Sequence, residues 1–418
     1  MSAAKPNSQK TVRAVEWLNF FLADVQTGLG PFLAAYLAAS GWSAGRVGYA
    51  LTFGGLVTVA TQTPAGAFVD ATHRKRSLIA AALGILCVGA VFLVGRLSTF
   101  SVYVAQLLIG TSAAFLAPTL AAITLGIVGT KLFDKQFGRN QAFNSAGNVC
   151  AALLIAWIAH RFGYPAIFVV AALLCIPALV SLLCIDAAQI DYSRSRDGKE
   201  DPSAKAEGLR ALLSDRRLLG FLVAAFLFHL ANAAMLPQLG ELLSRNNLKS
   251  AATFMSASIV VTQVVITFSA AFIGRRSHRG RKPLLLIGFG VLPVRAVLYT
   301  LTHAASVLLA IQILDGVANA IFVVVSVLVI ADLTRGTGRF NLASGALATM
   351  VGVGAALSTT VGGQLIQYSG FSTSFLGLGV IAMIAFAILW IAVPETLGKE
   401  RSPMPKNDTP SPELESLA

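Results

Sequence analysis

The chain has 418 residues, 56% of them hydrophobic and 12% charged, with a mean hydropathy of +0.73. Soluble domains carry about 25% charged residues, so these values exclude a soluble globular enzyme and a disordered chain. Continuous apolar runs, rather than alternation, also exclude an outer-membrane barrel, and a net charge of +13 invites a nucleic-acid reading only if the basic residues cluster on one face.

In chain order, residues 1–14 are polar and read as a tail. The first apolar run, 15–38, is too long for a signal-peptide core and has no convincing cleavage site after it, so it is predicted to be an uncleaved span. Further runs cover 46–69, 77–96, 100–129, 140–160 and 164–185. Each is long enough to cross a bilayer, which takes about 20 residues in a helix. Residues 187–216 are rich in charged residues and Ser and read as a solvated linker with a short helix near its end. Six more runs follow at 218–243, 252–273, 283–302, 304–331, 341–367 and 371–393, before a polar, Pro-rich tail over 394–418. The four cysteines, Cys87, Cys150, Cys175 and Cys184, lie in apolar stretches without metal-ligand spacing and read as buried small hydrophobes, with no disulfide.

Charge placement predicts orientation. If both termini are cytoplasmic, the inner segments carry 26 Lys and Arg and the outer loops five, with Arg295 inside a span. That asymmetry satisfies the positive-inside rule, so the basic excess is a topology signal and no nucleic-acid partner is expected. The halves also repeat. Pro31, Gln106 and Gly110 recur 206 residues later as Pro237, Gln312 and Gly316. Arg74-Lys75, Gly163 and Phe168 recur at 207 as Arg281-Lys282, Gly370 and Phe375. Phe143-Asn144 recur at 197 as Phe340-Asn341. Two parallel six-helix repeats predict a transporter with a midplane site between halves that rock against each other. The expected fold is therefore an all-α integral membrane protein: twelve transmembrane helices in two pseudo-symmetric six-helix bundles, over 15–186 and 217–393.

The connection between the second and third spans reads Gly66-Ala67-Phe68-Val69-Asp70-Ala71-Thr72-His73-Arg74-Lys75-Arg76. It resembles the signature loop of the major facilitator superfamily, Gly-x-Leu-Ala-Asp-Arg-x-Gly-Arg-Lys, departing at Ala71 and His73. A degraded copy, Ser277-His278-Arg279-Gly280-Arg281-Lys282, sits in the second half. The resemblance covers the whole chain and implies that Gly66, Asp70, Arg74, Lys75, Arg281 and Lys282 belong to gating loops that latch the halves. The competing reading makes Arg74 to Arg76 simple cytoplasmic anchors. Drug/proton antiporters of that superfamily carry an Arg in span four where this chain has Gln106, and a Gly-Pro-rich motif in span five that is absent here. The resemblance to that subgroup is therefore weaker than to the superfamily.

Ionisable residues inside spans are functional candidates by default. Asp24 and Gln26 lie at mid-depth of the first span beside Gly28, Gly30 and Pro31. Asp24 can exchange a proton during transport, or be neutralised by a partner helix. Arg295 and Asp315 lie at depths differing by about 6 Å at 1.5 Å per residue. They are expected to form either a structural pair or a coupling pair. His229 and Asn232 share one face of span seven. The imidazole is either a titrating group or an interhelical donor. Glu241, nearer the outer end, is expected to be solvated. Asn140, Asn144 and Asn148 form one stripe on span five, binding solute or joining helices.

There is no P-loop, no metal constellation and no nucleophile elbow, so no cofactor is expected and the chain is not read as an enzyme. The expected function is secondary active transport of a small organic solute by alternating access. Proton-coupled efflux across the inner (plasma) membrane is expected, by a monomer with both termini cytoplasmic. The rivals are proton-coupled uptake of a metabolite or siderophore and, from another class, a membrane enzyme acting on lipid.

Overall fold

A computed structural model describes residues 6–29, 31–95, 97–191, 214–245, 248–302, 304–335 and 340–397. Among the described residues there is no strand. The first half contains α1 (Pro6–Leu29), α2 (Pro31–Ala39), α3 (Ala44–Ala71), α4 (Lys75–Val91), α5 (Thr99–Val128), α6 (Thr130–Phe162) and α7 (Pro165–Leu183). The second contains α8 (Arg216–Asn232), α9 (Met235–Ser244), α10 (Leu248–Arg276), α11 (Lys282–Leu301), α12 (Ala305–Thr334) and α13 (Phe340–Ala392). A bilayer offers no partner for a free backbone N–H or C=O, so a spanning segment closes its own hydrogen bonds as a helix.

Eight helical stretches among the described residues are long and apolar enough to cross a membrane. In that count α8 and α9 form one stretch, and α13 is also one, although it is two passes divided at Gly370 (φ 82°). Dividing α13 and adding α1 with α2, α3 and α4 completes the twelve expected passes. Helix α1 starts at Pro6, well before the apolar run, with proline in the first turn where its missing N–H costs nothing. The linker's predicted helix lies almost wholly outside the described residues, as does most of the C-terminal tail.

Local chemistry places the turns. Ser98 and Ser101 form a reciprocal capping box at the start of α5, and Asp215 accepts from the amides of Arg217 and Leu218 at the start of α8. Gly163 (φ 85°) and Gly370 (φ 82°) make equivalent turns between the last two passes of each half, in the left-handed region that favours glycine. The expected recurrence of Gly163 as Gly370 is thus a recurrence of backbone conformation.

The packing repeats too. In the first half α1 packs on α6 and α7, α3 on α5, and α4 on α5 and α7. In the second, α8 packs on α13, α10 on α12, and α11 on α12 and α13. A Cβ added at Gly147 would strike the carbonyl of Phe20; one at Gly354 would strike the carbonyl of Phe226. Both members of the second pair lie 206 or 207 residues after the first, so one glycine-mediated crossing is built twice. The basic residues align likewise: Arg76 donates to Leu183 O (3.3 Å) and Lys282 to Trp390 O (2.6 Å), each cation binding the carbonyl end of a neighbouring helix. These contacts pair Arg76 with Lys282, a register of 206 where sequence matching had suggested 207.

Outward faces are apolar. Leu173, Ile176, Val180 and Leu183 form an exposed stripe along α7, the face a lipid-embedded helix presents to acyl chains. Cys150 and Cys184 also lie at the surface, contrary to the expectation of burial, because they sit on outward faces; Cys87 is half-buried and Cys175 buried.

If the glycine crossing holds the bundle together, Gly147→Ala should destabilise the fold by about 1–3 kcal/mol through overpacking. The check is thermal unfolding in detergent against Gly84→Ala, where an added Cβ meets open space and Tm should not fall.

Candidate functional site

The two halves meet along a few helix pairings, the most extensive of them α3 against α13. Helix α3 crosses α13, α6 crosses α10, and α9 and α10 touch α2. The apolar core of the first half is continuous with Met235, Leu239, Phe254 and Met255 of the second. A separate apolar core fills the rest of the second half. The joined end carries the α2–α3 connection; the α3–α4 connection, with the start of α1 and the end of α13, lies at the other.

The seal at the joined end is polar and tight. Thr52 Oγ1 donates to Ala356 O (2.7 Å) and lies 2.9 Å from Thr359 Oγ1. Thr360 donates to the same Thr52 oxygen through its hydroxyl (2.7 Å) and backbone N–H (3.1 Å). Gln367 Oε1 accepts from Gly45 N (3.0 Å) and Ser43 Oγ (3.2 Å). The close approach depends on glycine: a Cβ at Gly48 would collide with Thr359 O, and one at Gly363 would lie 2.5 Å from Ala44 O. At the opposite end a Cβ at Gly66 or Gly345 meets nothing within 4 Å.

Below the seal lies a cavity of about 400 Å³ between the halves. Helices α3, α4 and α5 supply one wall, with Leu51, Leu86 and Ile109; Pro237 of α9 and Ala355 of α13 supply the other. Thr58, Gln106 and Thr359 are its polar residues among the described ones.

The predicted residues are distributed around this cavity rather than gathered in it. Asp24 and Gln26 lie in α1 and Asp70 in α3, but their side chains are outside the described residues. Asn148 donates to Asn144 (3.3 Å) within α6, while Asn140 donates to Thr124 Oγ1 of α5 (3.0 Å) and so joins two helices. His229 bonds the carbonyl of Ala225 in its own helix (3.1 Å) and meets Phe322 edge-on, and Asn232 Oδ1 is buried without a hydrogen-bond partner among the described residues.

Arg295 and Asp315 pair directly, on α11 and α12. Arg295 is 1% exposed, donates to Met235 Sδ (3.3 Å) and lies over the Tyr299 ring. Asp315 also accepts from Asn319 (3.0 Å) and, weakly, from Thr262 (3.5 Å). The repeat-related positions in the first half are Gly89 and Ile109, where an added Cβ at Gly89 would lie 3.0 Å from Ile109. The second half therefore holds an ion pair where the first has an apolar contact.

In the gating loops, Arg74 is exposed and Gly66 lies in open space. Lys75 is 0% exposed and donates to Val69 O (2.7 Å), so it is built into the helix junction instead of anchoring to solvent. Arg281 is clamped between Asp332 (3.2 Å) and Ser277 O (2.7 Å), while Glu395 accepts from the amides of Arg281 and Lys282.

Two carboxylates depart from the sequence reading. Glu241, expected in solvent, is 4% exposed, because α9 packs against α2 and α10 under the seal. Glu16, not singled out, is buried in α1, where it accepts from Gln136 (2.9 Å) and Arg139 (2.9 Å) of α6. Its place i−3 to Asn19 at the start of the first apolar run was the available signal.

Two helical bundles around a cavity sealed at one end are the architecture of a membrane transporter. The family model of the Major Facilitator Superfamily matches residues 17–292 and 245–417, and the chain belongs to that superfamily. A Mycobacterium tuberculosis protein described as an uncharacterised MFS-type transporter is 39% identical over 396 residues, covering 94% of this chain and 95% of its own. A chloramphenicol resistance protein of Pseudomonas aeruginosa is 29% identical over 154 residues, 36% of each chain. Among solved structures, the nucleoside transporter NupG superposes with a TM-score of 0.72 over 92% of this chain and 98% of its own, at 13% identity. A D-xylose-proton symporter superposes with a TM-score of 0.70 over 94% and 99%, also at 13% identity. The chain is a multi-pass membrane protein and a secondary transporter of a solute, not an enzyme.

Two predictions concern the charged clusters. Asp315→Asn leaves Arg295 buried and unpaired, at an expected cost of about 3–5 kcal/mol. Folded yield should fall in that variant and return in the swap Arg295→Asp/Asp315→Arg. At Glu395, burial alone would raise the carboxyl pKa, but the amides of Leu397, Arg281, Lys282 and Thr396 outweigh it and hold it below its ordinary value. Its stabilising contribution is therefore present above the unfolded pKa of about 4.3 and is lost as pH falls through the lower folded value. The Tm difference between wild type and Glu395→Gln should be constant near neutral pH and shrink on acidification.

Proposed function

We propose that the protein is a proton-coupled exporter of a small organic solute in a bacterial plasma membrane, acting as a monomer with both termini cytoplasmic. The observation that carries this reading is the one-ended seal: a cavity between the halves, closed by Thr52, Thr359, Thr360 and Gln367, with open space around Gly66 and Gly345 toward the end where α1 begins and α13 finishes. With the positive-inside orientation this is the cytoplasm-facing state, in which an exporter loads. The partial likeness to a chloramphenicol resistance protein supports export, as does the signature loop at Gly66 to Arg76, by fold-level analogy.

In this reading Asp24 carries the proton, and Arg295–Asp315 is a fixed anchor of the second bundle. Direct pairing of the two charges, with Asn319 also donating to the carboxylate, supports that role, while Arg295 Nε is buried without a hydrogen-bond partner among the described residues. Asp70, Arg74 and Lys75 form the latch that closes the cytoplasmic end when the Thr52 seal opens.

The test uses proteoliposomes containing a pH-sensitive dye, with chloramphenicol as first solute and a wider panel behind it. Export predicts proton movement opposite to the solute, abolished in Asp24→Asn at unchanged folded yield. Movement in the same direction makes the protein a symporter. Full coupling in Asp24→Asn would remove that residue from the mechanism.

A further inference from the structure

The repeat makes Gln106 and Gln312 equivalent, 206 residues apart, yet their surroundings have diverged. Gln312 is 0% exposed and donates to Tyr299 Oη (3.0 Å), beside the Arg295–Asp315 pair. It is sealed inside the second bundle. Gln106, 6% exposed, lines the cavity.

Its orientation is fixed by chemistry. The Gln106 amide nitrogen donates to Ala50 O (3.1 Å), and a carbonyl can only accept, so the nitrogen must face α3. Oε1 is left without a hydrogen-bond partner among the described residues, as an acceptor beside the cavity. The amide lies flat on Gly54: a Cβ there would fall 2.9–3.0 Å from the amide carbon, nitrogen and oxygen, so any side chain at Gly54 would displace it. Thr58, one turn along α3, spends its hydroxyl hydrogen on Gly54 O (3.0 Å) and likewise offers only an acceptor. Around them the wall is Leu51, Leu86, Ile109 and Pro237. A formal charge placed there would lose its hydration against hydrocarbon, whereas a single donor hydrogen would be satisfied.

We propose that this cavity binds an uncharged, largely apolar solute whose hydroxyl or N–H hydrogen is accepted by Gln106 Oε1. The inference rests on the transport reading only in treating the cavity as the solute's site, and its test needs no flux.

The experiment places a cysteine at the cavity, Thr58→Cys, in full-length protein with Cys87, Cys150, Cys175 and Cys184 replaced by Ala. Reaction with uncharged methyl methanethiosulfonate is timed in the presence of three probes of one skeleton: 3-phenylpropanol, 3-phenylpropanoate and 3-phenylpropylammonium. Present at about four times its dissociation constant, the alcohol should slow labelling about five-fold, while the two ions do not. It should not slow a control cysteine at Gly84→Cys. Gln106→Met, nearly the same shape, should abolish the protection. Gln106→Glu should transfer it to the ammonium probe, and decides the matter if the Met variant does not fold. Protection by either ion in the wild-type cavity, protection by none of the three, or alcohol protection that survives Gln106→Met overturns the proposal. If the labelling pattern holds but no solute moves in the proteoliposomes, the transport reading fails and this one stands.

Discussion

The contact on which this structure depends is the meeting of α3 and α13 at Gly48 and Gly363, where two helices from opposite halves approach backbone to backbone. Lipid tails are as apolar as leucine, so no hydrophobic force drives helices together within a bilayer. What holds this crossing is close packing together with the hydrogen bonds of Thr52, Thr359 and Thr360. Those groups share a useful property. If the crossing parts, water enters and replaces each hydrogen bond at a small net cost. A seal of threonine and glycine can therefore open and close, whereas one of interlocked leucines would have to expose apolar surface to water.

Two crossings inside the halves are of another kind. Gly147 against Phe20, and Gly354 against Phe226, press small residues onto backbone with no hydroxyl to hand over to water. If such crossings stay closed while the Thr52 seal opens, the bundles move as rigid bodies and the surface between them is the hinge. The repeat supplies this division twice over, and departures from it mark where the halves have specialised. Arg295–Asp315 stands where the first half has Gly89 and Ile109; Gln106 borders the cavity, whereas Gln312 is buried, its nitrogen on Tyr299 and its Oε1 without a partner among the described residues. Each bundle has its own internal polar network, Glu16–Gln136–Asn140–Thr124 in the first and Arg295–Asp315–Asn319 in the second, and Gln106 of the first faces the cavity.

Most of the architecture was legible in the sequence because a bilayer permits so few solutions. Runs of apolar residues, the offset between halves and the glycines at 163 and 370 located the passes and the turns. The Arg295–Asp315 pair was legible from depth alone, since each charge makes the other tolerable. The seal was not. Thr52 and Thr359 are weakly polar residues in apolar spans more than 300 positions apart, and nothing local says which face meets the opposite bundle. Gln106 was visible as a departure from a family pattern but not as a cavity group, because its significance lies in the direction of one oxygen. Glu241 was misplaced for a related reason: depth was read correctly, but the covering by α2 and α10 is a tertiary fact.

The central claim is that the two ends of the cavity open in alternation around rigid bundles. Double electron–electron resonance with spin labels on exposed positions tests it directly. One pair, Arg46 and Tyr368, flanks the sealed end; the other, Thr63 and Thr349, flanks the splayed end. Across a pH series in liposomes, the account predicts two distance populations for each pair that exchange weight reciprocally, the first lengthening as the second shortens. Distances that stay single at both ends, or that lengthen together, would contradict it.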